Sequence, residues 1–223
     1  MKSRFGFIAC AAWLAQVATT AGAVSLGSVD TFEDGSTQGW FSGAGHPSPP
    51  VNAPSGGPGG VDDAFLLSLS LGGSGAGSRL VNIAGAQWRG DYRVAGVTGI
   101  AMDLNNLGDT DLSLRLRLQA PNPIAGGLPL IAISANPIAL PAHSGWTRVT
   151  FATTPDAFAG PALTVLSAVD ELRLFHAVAT AFPGDASVAR LGIDNIAAVP
   201  EPGAAWLLAG GLLTLALRRL RRD

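Results

Sequence analysis

The 223-residue chain holds one cysteine, one lysine and one tyrosine, and each scarcity closes a door. Cys10 lies inside the apolar run that opens the chain, so nothing beyond residue 23 carries a thiol. Disulfide staples, cysteine zinc sites and cysteine nucleophiles are therefore excluded from the rest of the chain. Lys2 is the only lysine, and residues 24–199 set eight arginines against fourteen acids, a net charge of −6. The whole-chain value of −2 conceals this, because six basic residues stand near the two ends. An acidic segment without lysine lacks the basic surface that phosphate backbones require, which excludes nucleic acid as a partner.

The usual catalytic constellations are missing too. No two of His46, His143 and His176 have ligand spacing, and no Gly-x-Ser-x-Gly elbow occurs. Asp62–Asp63 and Asp170–Glu171 are sequence neighbours, which a strand would point to opposite faces rather than across a cleft. "GGPGG" and "GGSGAG" lack the lysine and following helix of a phosphate loop and read as flexible loops. The chain does not read as an enzyme.

What is present begins with two terminal addresses. Lys2 and Arg4 precede an apolar stretch, and Ala21-Gly22-Ala23 supplies small residues for cleavage, so residues 1–23 read as a secretory signal peptide. At the other end Pro200 and Pro202 interrupt any helix, and Gly203–Leu217 runs 15 residues without a charge. A helix of that length spans roughly 22 Å, short of the ~30 Å hydrocarbon layer. Arg218, Arg219, Arg221 and Arg222 follow at once and would snorkel into the cytoplasmic interface.

Between these ends, alternation with period two dominates. In "DLSLRLRLQ" (111–119) Leu112, Leu114, Leu116 and Leu118 face one way, and Ser113, Arg115 and Arg117 the other, as on a half-buried antiparallel strand with a solvated face. "AFLLSLSL" (64–71) places Leu67, Leu69 and Leu71 on one face. Further strands are expected at 29–32, 79–83, 97–104, 128–134, 146–151, 170–178 and 188–199, separated by Gly, Pro, Asn and Asp turns. About ten short strands predict an all-β antiparallel sandwich of jelly-roll type over residues 24–198. "GAGHPSPPVNAPSGGPGG" (43–60) has too few apolar residues to pack and reads as a long surface loop. Trp40 and Trp146 sit at strand positions and read as core, whereas Trp88 and Tyr92 flank Arg89 and Asp91 in a turn. That pair is open to two readings: aromatics packed at a sandwich edge, or a ligand-binding platform with Arg89 and Asp91 beside it.

Two resemblances follow from these residues. Val199-Pro200-Glu201-Pro202, the apolar stretch and the arginine cluster, over residues 199–223, resemble the PEP-CTERM sorting signal of exported Gram-negative bacterial proteins. That resemblance implies processing by an exosortase, transient anchoring in the inner membrane and delivery to the cell surface or extracellular matrix. The open alternative is a permanent tail anchor. Phe32-Glu33-Asp34-Gly35 with Gly39-Trp40, Trp88-x-Gly90-x-Tyr92, Gly145-Trp146 with Val149 and Phe151, and Ile193-Asp194-Asn195-Ile196 are similar to carbohydrate-binding-module-like jelly rolls. This second resemblance implies polysaccharide as a partner. It also implies a structural calcium where first and last strands meet, with Glu33 and Asp194 as ligands and Asp30 or Asp34 as a third. The reading of these acids as solvated turn residues stays open. The expected function is an exported surface or matrix protein that binds polysaccharide; the alternatives are a polysaccharide hydrolase or lyase, and a structural surface protein without a ligand.

Overall fold

The computed structural model describes residues 23–73 and 78–200. Residues 1–22 of the expected signal peptide and the sorting tail from Glu201 to Asp223, arginines included, lie outside the described residues. Among the described residues no helix is long and apolar enough to cross a membrane.

Among the described residues twelve strands form two antiparallel sheets, which makes the domain the expected all-β sandwich. Their ranges are β1 (Val29–Asp30), β2 (Val51–Ala53), β3 (Phe65–Leu71), β4 (Val81–Ile83), β5 (Gly99–Asn106) and β6 (Leu112–Ala120). The remainder are β7 (Leu130–Ser134), β8 (Ile138–Leu140), β9 (Trp146–Ala152), β10 (Phe158–Ala159), β11 (Glu171–His176) and β12 (Val188–Val199). One short helix, α1 (Ala162–Leu166), lies between β10 and β11. One sheet runs β2–β3–β12–β5–β9, with β1 also on β12; the other runs β10–β7–β6–β11–β4, with β8 also on β6. We call them the β12 sheet and the β6 sheet. The first strand pairs with the last, Val29 opposite Ala197 and Asp30 opposite Ile196.

The alternating leucines explain the core. Leu112, Leu114, Leu116 and Leu118 of β6 meet Ile100, Met102 and Leu104 of β5 and Leu191, Ile193 and Ile196 of β12 in one buried cluster. Each such side chain taken from water stabilises the fold by roughly 1.5–3 kcal/mol. In β12 the apolar spacing lengthens from Leu191 and Ile193 to Ile196 and Ala198 because a β-bulge sits between. Asn195 takes the left-handed conformation there (φ 48°), which Asn tolerates better than most residues. The bulge keeps both isoleucines inward.

Three expectations are corrected. The proline-rich segment 43–60 is not wholly a loop: it contributes β2, an edge strand paired with β3. The outward face of β6 is not solvated, since Arg115 and Arg117 are only 4% and 5% exposed. Trp40 is core as expected, but Trp146 belongs to no core cluster and lies on the outer face of the β12 sheet, half-buried.

Candidate functional site

Of the two readings open for Trp88 and Tyr92, the structure packs both inward and forms no platform with Arg89 and Asp91. Both aromatics are fully buried, because their polar atoms find partners inside. Trp88 Nε1 donates to Asp30 Oδ2 at 2.6 Å, and the Tyr92 hydroxyl donates to the Trp88 carbonyl at 2.9 Å. Trp40 Nε1 donates to the same Asp30 oxygen at 2.7 Å, so one buried carboxylate ties two indoles together. Arg89 is exposed, and Asp91 caps a turn by accepting from the Arg93 and Val94 amides, each at 2.9 Å. The four residues are neighbours without a common open surface.

The expected calcium ligands divide in the same way. Asp30 is committed to the indoles and to Gln87 Nε2 (3.1 Å), and Asp34 accepts from the amide and hydroxyl of Ser36 in an exposed turn. Those two do not fit a shared ion. Glu33 and Asp194 do lie in one electrostatic neighbourhood. Asp194, on the outer side of β12, is completely buried; burial first, and then the nearby charges of Asp63, Asp103 and Glu33, push its carboxyl up to about 7 against the lowering effect of the Asn195 amide. Glu33 Oε1 accepts from the Ala64 amide at 3.0 Å, which brings its loop to the start of β3. Among the described residues no three acidic, histidine or cysteine side chains converge closely enough to hold a metal ion.

Around these acids the outer face of the β12 sheet carries an aromatic and polar surface. Register places Trp146 of β9 opposite Asn105 of β5, and Asn105 opposite Gly192 of β12. The benzo edge of Trp146 lies over Gly192, where an added Cβ would come within 2.8 Å of the ring; only glycine admits the indole there. The ring also meets Phe65 edge-on at 5.3 Å, and its Nε1 donates to the Gly56 carbonyl at 3.0 Å. Arg148 Nη1 reaches Asp103 Oδ2 at 3.3 Å and the Asn195 carbonyl at 2.8 Å, and Asn195 Nδ2 donates to Asp103 at 3.0 Å. An indole braced along a sheet, with amide, guanidinium and carboxylate groups beside it, supplies an apolar surface and hydroxyl partners together. The "GGPGG" stretch beneath is an ordered turn: Asp63 accepts from the Gly59 amide, and its carbonyl accepts from the Gly57 amide at 2.9 Å.

The outer face of the β6 sheet differs in kind. Arg115 donates to four backbone carbonyls, those of Ser134, Ala135, Ala177 and Val178, at 2.6–3.0 Å. Arg117 and Arg173 share Glu171, at 2.6 Å and 2.5 Å, and both lie over the Phe182 ring at 4.8 Å and 4.9 Å. Burial alone would raise the Glu171 carboxyl, but the two guanidiniums hold it below its ordinary value.

The remaining titratable candidates assemble no catalytic unit. His143 Nε2 meets Asp109 at 2.8 Å on the surface, while the adjacent Ser144 hydroxyl donates to the Gly145 carbonyl. His176 is buried, which lowers its pKa, and accepts from the Ser113 amide at 2.9 Å.

No protein-family model matches the chain, and no curated protein matches it. Solved structures do. The module CtCBM11, solved in solution, is 13% identical with a TM-score of 0.51, covering 82% of this chain and 98% of its own. An exo-β-agarase has the same identity and TM-score over 80% of this chain, which spans only 26% of the agarase. A family 11 carbohydrate-binding module from Clostridium thermocellum, in complex with a β-1,3-1,4-mixed-linked tetrasaccharide, is 14% identical with a TM-score of 0.49, covering 79% of this chain and 97% of the module. At such identities the likeness is one of fold. The domain has the jelly-roll architecture of carbohydrate-binding modules.

Proposed function

We propose that this is a non-catalytic polysaccharide-binding domain that engages its glycan on the outer face of the β12 sheet, across Trp146. The observation that carries the reading is the indole of Trp146, laid on a sheet face among Asn105, Asp103 and Arg148, on a fold shared with carbohydrate-binding modules. Trp146 would stack on a sugar ring, while Asn105 and Arg148 would meet its hydroxyls. Titration of the purified chain against soluble β-glucans tests this. Trp146→Ala should weaken binding about tenfold, the loss of one good aromatic contact. Undiminished binding by a folded Trp146→Ala variant would remove the site, and failure of every glycan to bind would remove the function.

The delivery route belongs to the same proposal. An exosortase would process the chain at the Pro-Glu-Pro segment and release the domain from the inner membrane to the cell surface or matrix of a Gram-negative host. β12 ends at Val199 and Pro200 is exposed, which supports an accessible junction. Intact mass with C-terminal peptide mapping should find a product ending near Val199–Pro202; a product retaining Leu207–Arg222 would overturn the sorting reading. A structural calcium is likewise proposed, held by Glu33 and Asp194, where it would neutralise charge on the β12 face.

A further inference from the structure

Strand β3 reverses the usual placement of apolar and polar side chains. Leu67, Leu69 and Leu71 face away from the core, with Leu71 58% exposed, while Ser68 and Ser70 between them are buried. Ser70 has partners inside, its hydroxyl lying 2.9 Å and 2.6 Å from the carbonyls of Ser78 and Ser187. Register sets Leu69 opposite Arg190 and Leu71 opposite Val188 of β12, so the outward row of apolar side chains continues across both strands. There a cavity of about 470 Å³ opens on the same outer face as Trp146. Leu69, Leu71, Leu107 and Val188 wall it, no aromatic ring lines it, and its charged residues are Arg190 and Asp109. The turn on its far side is braced. Buried Asn106 accepts from the Gly108 amide at 3.1 Å and donates to the Thr110 carbonyl at 2.8 Å, and the Leu107 amide donates to the Arg190 carbonyl at 2.8 Å. Asp109 is engaged by His143 Nε2 at 2.8 Å. Arg190 is exposed, and among the described residues no hydrogen bond or ion pair takes up its guanidinium.

We infer that this cavity receives a carboxylate carried on a short aliphatic branch of the polysaccharide, such as a lactyl ether or a pyruvyl ketal. Aromatic faces suit the C–H face of a sugar ring, and none is present here; branched aliphatic side chains suit a methyl group instead. The unengaged guanidinium beside them matches the geometry and charge of a carboxylate, so walls and cation together fit a group that carries both. The inference rests on the polysaccharide reading above and names the kind of polymer that site selects. Arg190 stands two residues along β12 from Gly192, over which Trp146 lies, a separation of about 7 Å. A branch on the sugar next to the one stacked on Trp146 therefore reaches the cavity.

The test is calorimetric titration of the full purified chain with three forms of one soluble β-glucan: unmodified, bearing ethyl ethers, and bearing lactyl (1-carboxyethyl) ethers to the same degree. Wild type should prefer the lactyl form to the ethyl form about fivefold, the upper end of what an exposed ion pair contributes. Arg190→Gln should abolish that preference and leave the ethyl form and the unmodified glucan unchanged. Val188→Ser should weaken binding of both ethers and spare the unmodified glucan, whereas Trp146→Ala should weaken all three. Equal binding of the three forms by wild type would overturn the inference and leave the polysaccharide reading intact, as would a lactyl preference that survives in folded Arg190→Gln. If none of the three binds, both fall. Sedimentation at rising protein concentration checks for another occupant: a dimer that Val188→Ser dissolves would give this face to a second copy of the chain and overturn the inference.

Discussion

The two outer faces of this sandwich are built from the same alternating pattern and solve opposite electrostatic problems. On the β12 sheet, Asp194 is buried near Asp63, Asp103 and Glu33, and it accepts hydrogen bonds from the backbone and side-chain amides of Asn195. On the β6 sheet the arginines are anchored: buried Arg115 by four carbonyls, and buried Arg117 with half-buried Arg173 by Glu171. One face therefore holds an acid whose carboxyl is pushed up, the other cations with fixed partners. A buried charge with fixed partners stiffens a surface, whereas a buried acid among other acids leaves it responsive to protons or cations.

The largest effect that separates the faces is in pH. The carboxyl of Asp194 is near 7 in the folded state and near 3.8 when unfolded, so between those values the native state binds the extra proton. Stability should fall as pH rises from about 4 to about 7 and then level off, by on the order of 4 kcal/mol in the absence of divalent cations. Urea unfolding in chelator across that range checks this. Asp194→Asn, which cannot ionise, should flatten the curve, and an equally steep curve in the variant would move the cause elsewhere.

Next comes a contrast between two arginines. Arg115→Met strands four carbonyls beneath the surface of the β6 sheet and should cost about 3 kcal/mol. Arg148→Met on the β12 face removes a contact whose guanidinium side chain is 46% exposed and should cost less than about 1 kcal/mol. Chemical denaturation of both variants measures the difference. Equal costs would mean that Arg115 is not the anchor its contacts describe.

This contrast also marks where sequence reasoning stops. "LRLRL" dictates that leucines and arginines take opposite sides of β6, and they do. Whether the arginine side meets water depends on Ala177 and Val178, 62 and 63 residues away in sequence, whose carbonyls receive Arg115. Local alternation cannot see that cover. β2 hid for a similar reason: three residues on a sheet edge need only backbone pairing with β3 and leave no apolar period. The bulge in β12 was readable, because Ile193 and Ile196 break the step of two around Asn195. Trp146 could have been placed outward from Gly192, since a glycine within a strand of apolar residues signals a close neighbour. Trp88 and Tyr92 stayed open between packing and a platform because they flank a turn, and only the long-range partner Asp30 shows why Trp88 is buried.

A smaller effect, of opposite sign to that of Asp194, belongs to the β6 face. The folded-state pKa of Glu171 is depressed, so its contribution is present above the unfolded value of 4.5 and is lost as pH falls through the folded one. Glu171→Gln should cost about 2 kcal/mol at pH 7, where three guanidinium contacts are weakened, and nothing further on acidification. Wild type should lose stability below pH 4.5 and converge on the variant there. A constant gap down to pH 2 would mean that the loss is packing rather than charge.

The smallest expected effect joins cation to proton on the β12 face. If Glu33 and Asp194 hold calcium, the ion competes with the proton for the same buried carboxylate. At about ten times its dissociation constant the ion would add roughly 1.4 kcal/mol, a rise of a few degrees in Tm. The gain should appear at pH 8, where Asp194 is ionised, and vanish at pH 5, where the proton occupies it. Thermal melts with calcium and with chelator at both values form the test, and Asp194→Asn should erase the gap at pH 8. A melt indifferent to calcium at pH 8 would leave the proton alone as the partner of this acid. The β6 face, whose cations are already anchored, should show no such dependence in any condition: a calcium effect that survives in Asp194→Asn but disappears in Glu171→Gln would reverse the assignment of the responsive and the rigid face.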